Sequence, residues 1–175
     1  RASDEDDAGV KVTRWRLKMD RDWTVPAVEL APAKPQSTVI VVADAGRAGI
    51  GVEAQRLLSE GRRVVALDPF YFGESKIETR DHLFAILVAG LGDRPLGIQA
   101  SQVAAAARWL HKRDGAPVAL LAVGPRSSLF TLIAAALERH SIASVDLRQS
   151  MKSLREVIEG NFSADKTPEL FCFGL

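Results

Sequence analysis

A tight turn near the middle of the chain carries the residue types that could react. Gly124-Pro-Arg-Ser-Ser128 follows an apolar, strand-like run and precedes a helical stripe that begins at Leu129. A side chain raised on a strand-to-helix turn can attack an acyl carbon when small residues flank it, because the strand and helix backbones nearly touch there. With Gly124 and Ser128 as the small pair, the nucleophile position falls on Arg126. A guanidinium stays protonated and has no usable lone pair, so Arg126 cannot make that attack.

Ser127 is an alternative nucleophile if the frame moves by one residue. Pro125 and Leu129 would then be the flanking pair, and Leu129 is bulky. The ordinary interpretation of Ser127 and Ser128 is that they cap the N-terminus of the helix, a position that serine favours. Arg126 is then a surface or cleft arginine. A sharper hypothesis makes Arg126 an anion-binding group beside the positive end of the helix.

The general base that a serine nucleophile needs is not evident among the three histidines. His111 and His140 end predicted helices, where a cation is favoured by the helix dipole. His82 falls in a loop or at the start of a helix. Asp146 falls in or just after a predicted strand, and we interpret it as structural. The turn is therefore predicted to hold nothing reactive.

Strands and helices that alternate along the chain position this turn. Continuous apolar runs predict buried parallel strands, and apolar stripes between them predict helices. An alternating segment, Lys11–Met19, predicts a half-buried antiparallel strand with 23–30 as its partner, and Pro26 places that partner at an edge. The predicted fold is α/β: a three-layer sandwich with a mostly parallel sheet and an N-terminal antiparallel hairpin. The predicted parallel strands are 37–43, 63–68, 117–123 and 142–147.

Several segments, taken in order, resemble the acetyl xylan esterase-like branch of the α/β-hydrolases. Asp68-Pro-Phe-Tyr-Phe-Gly-Glu-Ser75 is similar to the D-x-x-x-x-G-x-S turn of α/β-hydrolases, and 91–99, 153–160 and 168–175 resemble segments of the acetyl xylan esterases. The resemblance runs from about Lys11 to the end of the chain. It implies serine esterases that remove acetyl groups from carbohydrate or related esters, using Ser, Asp and His and no metal or other cofactor.

The resemblance also assigns an oxyanion loop. Ala45 and Gly46 would form the loop that contributes a backbone N–H to the oxyanion hole. The family's usual His-Gly start is here Asp44-Ala45, which is a departure. In the family, the catalytic acid and histidine follow later strands, and we expect this chain to stop before either. The single domain, residues 10–175, is therefore expected to be incomplete at its C-terminus.

Arg126 and the expected missing partners predict a pseudoenzyme. It would be a carbohydrate-esterase relative in which the nucleophile elbow, the turn 124–128, is degenerate because Arg126 stands at the nucleophile position. We expect it to accompany another domain of the same protein or to hold a small ester or carbohydrate ligand. The resemblance implies an extracytoplasmic location, periplasmic or secreted. One alternative stays open at this stage: an active serine esterase in the full-length protein, with Ser127 as nucleophile.

A second alternative is a Rossmann-like dinucleotide-binding domain. Gly46-Arg-Ala-Gly-Ile-Gly51 follows a predicted strand and opens a helix, and Asp68 ends the next strand where a ribose-binding carboxylate would lie. The spacing Gly-x-x-Gly-x-Gly differs from the usual G-x-G-x-x-G. The only tyrosine, Tyr71, has no lysine four residues later.

Bulk composition narrows the classes of partner. The 175 residues are 47% hydrophobic and 26% charged, the balance of one globular domain. A net charge of +1 gives no reason to expect nucleic acid or an anionic membrane as partner. The single cysteine, Cys172, allows no intrachain disulfide or cysteine-rich metal site, and we expect a buried, inert thiol. The acidic residues 1–9 are expected to form a linker.

Overall fold

The computed structural model describes residues 3–7, 9–19, 23–77, 79, 81–163 and 167–171. In this part of the chain, one sheet has the strand order β1-β2-β3-β5-β4-β6-β7. The strands are β1 (Ser3–Asp7), β2 (Val10–Met19), β3 (Trp23–Pro32), β4 (Ser37–Ala43), β5 (Arg62–Leu67), β6 (Val118–Val123) and β7 (Ile142–Arg148). The helices are α1 (Gly51–Ser59), α2 (Asp81–Gly90), α3 (Pro95–Asp114), α4 (Pro125–Leu137), α5 (Arg155–Glu159) and α6 (Pro168–Phe171).

The sheet has a parallel half and an antiparallel half. β5, β4, β6 and β7 run parallel, whereas β1, β2 and β3 join them through antiparallel pairs. Connections between the parallel strands pass through helices, as the β-branched, continuously apolar strands require for burial on both faces. The predicted α/β fold with an N-terminal antiparallel hairpin, β2 and β3, is confirmed.

Helices cover both faces of the sheet and give it three layers. On one face, Ala54 and Leu57 of α1 pack on Val41 and its neighbours. On the other face, α3 and α4 bury Val103 and Phe130 against the remaining strand side chains. Because the parallel strands are covered on both sides, their carboxyl ends are fixed in position, and the turns that follow them are built on a rigid edge.

Part of the expected linker is a strand. Ser3–Asp7 forms β1, in a register that places Asp6 opposite Lys11 and Ser3 opposite Arg14. Asp6 is the one acidic residue of β1 that faces a basic residue, whereas the other three face Val10, Val12 and Thr13, so opposite charges on facing positions do not by themselves account for the pairing. A run of like charges taken alone indicates a solvated tail, so the composition of β1 did not predict this pairing.

β3 is an internal strand, and the edge position predicted from Pro26 is wrong. β3 pairs with β2 along its length and with β5 through residues 27–30. Pro26 lies just beyond that second ladder, where a backbone N–H is not required. Its carbonyl oxygen accepts a hydrogen bond from the backbone nitrogen of Asp68 at 3.1 Å. The proline therefore ends one ladder without interrupting the strand.

Helix α2 was not predicted, and Cys172 lies outside the described residues. The segment 83–88 is apolar at every position, so it shows no stripe that would distinguish a helix from a strand. Ala85 and Val88 are buried, while Ile86 and Leu87 are exposed. The backbone of His82, expected in a loop or at a helix start, lies in the first turn of α2.

Candidate functional site

The turn between β6 and α4 has the predicted strand-to-helix form. β6 ends at Val123, and α4 begins at Pro125. Gly124 joins them with a φ of +117°, a backbone conformation that residues other than glycine rarely adopt. A Cβ atom at Gly124 would overlap the carboxyl group of Asp44, which follows β4. Glycine is therefore required here both by the backbone and by the approach of Asp44.

Asp44 caps α4 from another segment of the chain. Its Oδ1 accepts a hydrogen bond from the backbone N–H of Ser127 at 2.7 Å, and its Oδ2 accepts one from Arg126 at 3.2 Å. Pro125 has no N–H, and the N–H of Ser128 donates to the carbonyl oxygen of Gly124 at 3.1 Å. The carboxylate therefore satisfies the free N–H groups of the first turn and lies at the positive end of the helix dipole.

This arrangement determines what the predicted oxyanion loop can do. The structure brings Ala45 next to the turn, where it lines a crevice of about 200 Å³ together with Asp44 and Gly124. Gly46 is buried, and its N–H donates to the carbonyl oxygen of Ala43 at 2.9 Å. The second N–H of such a hole would come from Ser127, the residue after the nucleophile position. That N–H is donated to the Asp44 carboxylate, so it is engaged within the protein.

The Arg126 side chain pairs with a buried carboxylate. Its Nε and Nη2 atoms donate to the two oxygens of Glu169 in α6, the Nη2 bond measuring 2.9 Å. Glu169 is 0% exposed, and the Arg126 side chain is 16% exposed. The Cζ atom of Arg126 also lies 4.5 Å from the centroid of the Phe72 ring. Of the two positions predicted for Arg126, the open surface and a cleft, its partly buried side chain agrees with the second; it binds an anion, and that anion belongs to the protein.

The two serines do not cap the helix. α4 begins at Pro125, so Ser127 and Ser128 occupy its third and fourth positions, beyond the place of an N-cap. Ser127 is 0% exposed, and its Oγ donates to the carbonyl oxygen of Val123 at 2.9 Å. The hydroxyl of Ser127 therefore does not face a cleft, as the alternative nucleophile would need to. Ser128 is also buried, and its Oγ has no hydrogen-bond partner among the described residues.

The histidines whose side chains the structure describes lie away from the turn. The Nδ1 atom of His111, near the end of α3, lies 3.3 Å from the Oγ of Ser141, which precedes β7. This contact lies at the N-terminal edge of the parallel strands, opposite the C-terminal edge that carries Asp44. His140 directly precedes Ser141 and is therefore at the same N-terminal edge. Asp146 lies in β7 and forms an ion pair with Arg148 at 3.1 Å, which agrees with a structural role.

Asp68 holds two loops together. This carboxylate is 1% exposed and accepts hydrogen bonds from the backbone N–H groups of Arg47 at 2.7 Å and Glu74 at 3.0 Å. The Ser75 hydroxyl donates to the Asp68 carbonyl oxygen at 2.8 Å. The D-x-x-x-x-G-x-S segment therefore ties the loop after β5 to the loop after β4. Because both carboxylate oxygens are engaged inside the protein, Asp68 is not placed to bind a ribose.

The start of α1 does not favour a pyrophosphate. The crevice beside it is lined by two acidic residues, Asp44 and Glu53. Negative side chains at the position where a phosphate group would approach oppose its binding, although a bare helix N-terminus would attract it. The glycine-rich turn instead allows close packing, since a Cβ on Gly46 would lie 2.7 Å from the Cα of Gly73.

Neither a metal cluster nor a membrane-spanning helix is present in the described part of the chain. Its His, Cys, Asp and Glu side chains form no group of three placed to hold a metal ion. None of its helices combines the length and the hydropathy that crossing a lipid bilayer demands.

Asp44 and Glu169 complete the site, and neither role was predicted from the sequence. α4 has no acidic residue in its first turn and begins with a proline, so an acceptor from another segment was needed. The replacement of the family's His-Gly by Asp44-Ala45 was the signal that could have identified Asp44. Glu169 lies 43 residues from Arg126, and no local pattern connects them.

No protein-family model matches the chain, and no curated protein matches its sequence. Solved structures do match. A Bacteroides fragilis protein assigned as an acetyl xylan esterase is similar over 82% of this chain and 46% of its own, with 14% identity and a TM-score of 0.72. A cold-adapted esterase from an Arctic intertidal metagenomic library matches over 97% of this chain and 72% of its own, with 18% identity and a TM-score of 0.64.

The α/β-hydrolase GrgF from Penicillium sp. sh18 is also similar, over 78% of this chain and 45% of its own, with 16% identity and a TM-score of 0.59. The chain therefore spans about half the length of the Bacteroides fragilis and Penicillium proteins. At these identities the likeness is one of fold. The chain has the α/β-hydrolase fold, and its neighbours in fold include esterases.

Proposed function

We propose that this chain is a non-catalytic module of the α/β-hydrolase fold, related to the acetyl xylan esterases, in which the elbow is a structural joint. The observation that carries the proposal is that the Asp44 carboxylate accepts hydrogen bonds from the backbone N–H groups of Arg126 and Ser127. Acyl transfer develops negative charge at that place, and donors that are already engaged by a carboxylate cannot stabilise it.

The two candidate nucleophile positions support the same proposal. Arg126 cannot attack an ester, and its guanidinium is held by Glu169 and Phe72. Ser127 donates its hydroxyl to a main-chain carbonyl and is 0% exposed. A serine nucleophile needs an adjacent base and access to substrate, and the described surroundings of Ser127 supply neither.

The proposal is tested by intact-mass analysis of the protein after treatment with a fluorophosphonate probe, in parallel with hydrolysis of an aryl acetate. We expect no adduct and no turnover above the uncatalysed rate, while a serine esterase treated alongside is labelled. An adduct on Ser127, together with turnover, would overturn the proposal and support the active esterase. Ser127→Ala would then abolish labelling, whereas Ser101→Ala, which removes a hydroxyl on the outer face of α3, would not.

The partner that we propose for such a module is another domain of the same protein or a small ester or carbohydrate ligand, in a periplasmic or secreted setting. The support is the resemblance to the acetyl xylan esterases together with the inert elbow. Fold alone does not fix a function, so the location needs its own measurement. Fractionation of the source cells is expected to recover the protein outside the cytoplasm, and recovery only with cytosolic markers would contradict this.

A further inference from the structure

Three side chains in contact join the last turn of α3 to the segment that leads into β7. The Nδ1 atom of His111 lies 3.3 Å from the Oγ atom of Ser141. The same Oγ atom lies 3.0 Å from Oε1 of Glu138, the residue that follows α4. Ser141 is 4% exposed, so its hydroxyl depends on these two neighbours for its hydrogen bonds. The junction lies at the N-terminal edge of the parallel strands, away from the elbow.

The Glu138 carboxylate determines which atoms of this junction donate. The Arg108 guanidinium, which bonds to it, lowers the pKa of the Glu138 carboxyl below its usual 4.5, and burial opposes this, so the group is ionised at neutral pH. An ionised carboxylate only accepts hydrogen bonds, and a hydroxyl has one hydrogen to give. The charge-assisted bond to the carboxylate is also the shorter of the two bonds of Ser141. The serine oxygen can therefore only accept from His111, and Nδ1 must carry a hydrogen.

A proton gained by His111 leaves these hydrogen bonds in place. A neutral imidazole with its hydrogen on Nδ1 has its lone pair on Nε2, and the second proton binds there. The Nδ1–H group donates to Ser141 in both the neutral and the charged form. Histidine is the residue type that usually senses pH near neutrality, but protonation of His111 does not break this junction.

A proton gained by Glu138 weakens the junction. Its Oε1 accepts from Ser141 and its Oε2 accepts from Nη1 of Arg108 at 2.6 Å. A proton on either oxygen competes with one of these donors and removes the negative charge that strengthens both bonds.

The charged surroundings of Glu138 come from two segments. β6, which lies between them, consists of Val118–Val123 and has no charged residue. The charge of His140 lowers the pKa of the Glu138 carboxyl, in the same direction as Arg108. The titratable and charged groups at the junction are Arg108, His111 and Lys112 of α3, and Glu138, Arg139 and His140 of the segment before β7.

We propose that His111, Ser141 and Glu138 form an acid-sensitive latch between α3 and β7, in which Glu138 is the trigger and neutral His111 is held as the Nδ1–H tautomer. The latch stays closed through the pH range in which histidine titrates, and it opens when Glu138 takes up a proton. Because the latch lies at the opposite edge of the sheet, it does not depend on whether the elbow is catalytic.

Nitrogen-15 magnetic resonance of the histidine-labelled protein tests the tautomer. The chain has three histidines, and His82→Gln and His140→Gln assign their signals. At about pH 9, where histidine side chains are neutral, we expect the hydrogen of His111 on Nδ1. The exposed His140 is the internal reference, and it should show mostly the Nε2–H form that free imidazole side chains prefer in water. Between about pH 9 and pH 6, the Nε2 signal of His111 should move much further than its Nδ1 signal.

Substitution of the serine tests its place in the latch. Ser141→Ala removes the acceptor of the Nδ1–H group, so His111 should change to mostly the Nε2–H form. Ser144→Ala removes an exposed hydroxyl of β7 and is the matched control, which should leave the tautomer unchanged. Glu138→Leu is a second variant with a different prediction: without the carboxylate, Ser141 is free to donate to Nδ1, and His111 should again favour the Nε2–H form. Backbone spectra verify that each variant is folded.

The trigger is tested below the range in which histidine titrates. The Nδ1 signal of His111 should show a further step that coincides with the titration of the Glu138 carboxyl carbon. Arg108→Gln should move both steps to higher pH together, because it raises the pKa of Glu138, and it should leave the tautomer at about pH 9 unchanged.

Three results would each overturn the proposal. The first is an Nε2–H form of His111 in the parent protein at high pH. The second is an unchanged tautomer in a folded Ser141→Ala or Glu138→Leu variant. The third is an Nδ1 signal that does not respond while Glu138 titrates. Because labelling by the fluorophosphonate is a separate measurement, none of these results bears on the proposal of a non-catalytic elbow.

Discussion

The Oδ1 atom of Asp44 lies 2.7 Å from the backbone nitrogen of Ser127, although the two residues are 83 positions apart in the chain. The bond joins the loop after β4 to the first turn of α4. It places a negative charge at the positive end of a helix of 13 residues, where such a charge is stabilising. The N-terminus of α4 is therefore satisfied by the protein itself.

Replacing Asp44 should measure this cap. Asp44→Ala leaves two backbone N–H groups without their acceptor, and we expect the free energy of unfolding to fall by about 1–2 kcal/mol in urea titrations. Asp44→Asn should lower the free energy of unfolding by less than Asp44→Ala does, because the amide oxygen still accepts a hydrogen bond. Asp93→Ala, at an exposed position before α3, should stay within about 0.5 kcal/mol of the parent. If Asp44→Ala lowered the free energy of unfolding by no more than the Asp93→Ala control does, the capping role would be contradicted.

Gly124→Ala should be among the more damaging single changes at the turn. The φ of +117° costs an alanine about 1–2 kcal/mol, and the new methyl group would also displace the Asp44 carboxyl group. We expect a total loss above about 2 kcal/mol in chemical denaturation. In an Asp44→Gly background the added cost of Gly124→Ala should be smaller, because the steric part is relieved. Additive losses would show that the two residues are not coupled.

Gly51→Ala is the matched control for that substitution. Gly51 begins α1, and an added Cβ there meets nothing within 4 Å. Alanine is favoured over glycine in helices by roughly 0.5–1 kcal/mol, so this variant should be unchanged or more stable.

The pair formed by Arg126 and Glu169 should show strong coupling in a double-mutant cycle. Arg126→Leu leaves the fully buried Glu169 carboxylate unpaired, and we expect a loss of about 3–5 kcal/mol. Arg126→Leu combined with Glu169→Leu should recover much of that loss, since no buried charge remains. Arg108→Leu, which breaks a more exposed ion pair, should cost at most about 1 kcal/mol. Equal losses in the two arginine variants would contradict the buried character of the Arg126 pair.

Glu138 should contribute to the acid sensitivity of the protein. The Arg108 guanidinium that bonds to it lowers the pKa of the Glu138 carboxyl below its usual 4.5, burial opposes this, and the Ser141 hydroxyl adds to it. Since the native pKa lies below the unfolded one, the stabilisation is fully present above about pH 4.5 and is lost as the pH falls through the native pKa.

The measurement is the pKa of the Glu138 carboxyl by nuclear magnetic resonance. Arg108→Gln should raise that pKa toward its usual value and reduce the loss of stability on acidification. A pKa that does not respond to Arg108→Gln would show that the ion pair has no influence in solution.

Local patterns predicted most of the elements. The apolar run 37–43 is β4 to the residue, because continuous β-branched residues need a position buried on both faces. Gly61 follows α1 with a φ of +70°, the left-handed conformation with which a glycine commonly ends a helix. β1 and α2 were missed because an acidic run and a uniformly apolar run lack the periodicity that distinguishes strand from helix.

The candidate site was predictable only in part. The sequence located the strand-to-helix turn at Gly124, and it predicted that Arg126 occupies the nucleophile position of that turn. The partners of Arg126 and Ser127 were not predictable, since Glu169 and Asp44 reach the turn through tertiary structure. The same holds for the serines: their preference for helix caps is real, but Pro125 started the helix earlier and Asp44 satisfied its N–H groups.

The carboxylate of Asp68 has a consequence for the order of folding. Its bond to the Arg47 N–H closes a loop of 21 residues, whereas the bond between Asp44 and Ser127 spans 83. Short loops close at a lower entropic cost, so the two loops after β4 and β5 should be joined early, and the elbow should form late. Substitutions of Asp44 should then accelerate unfolding while leaving the folding rate nearly unchanged, so losing this contact would shorten the lifetime of the native state without slowing its formation.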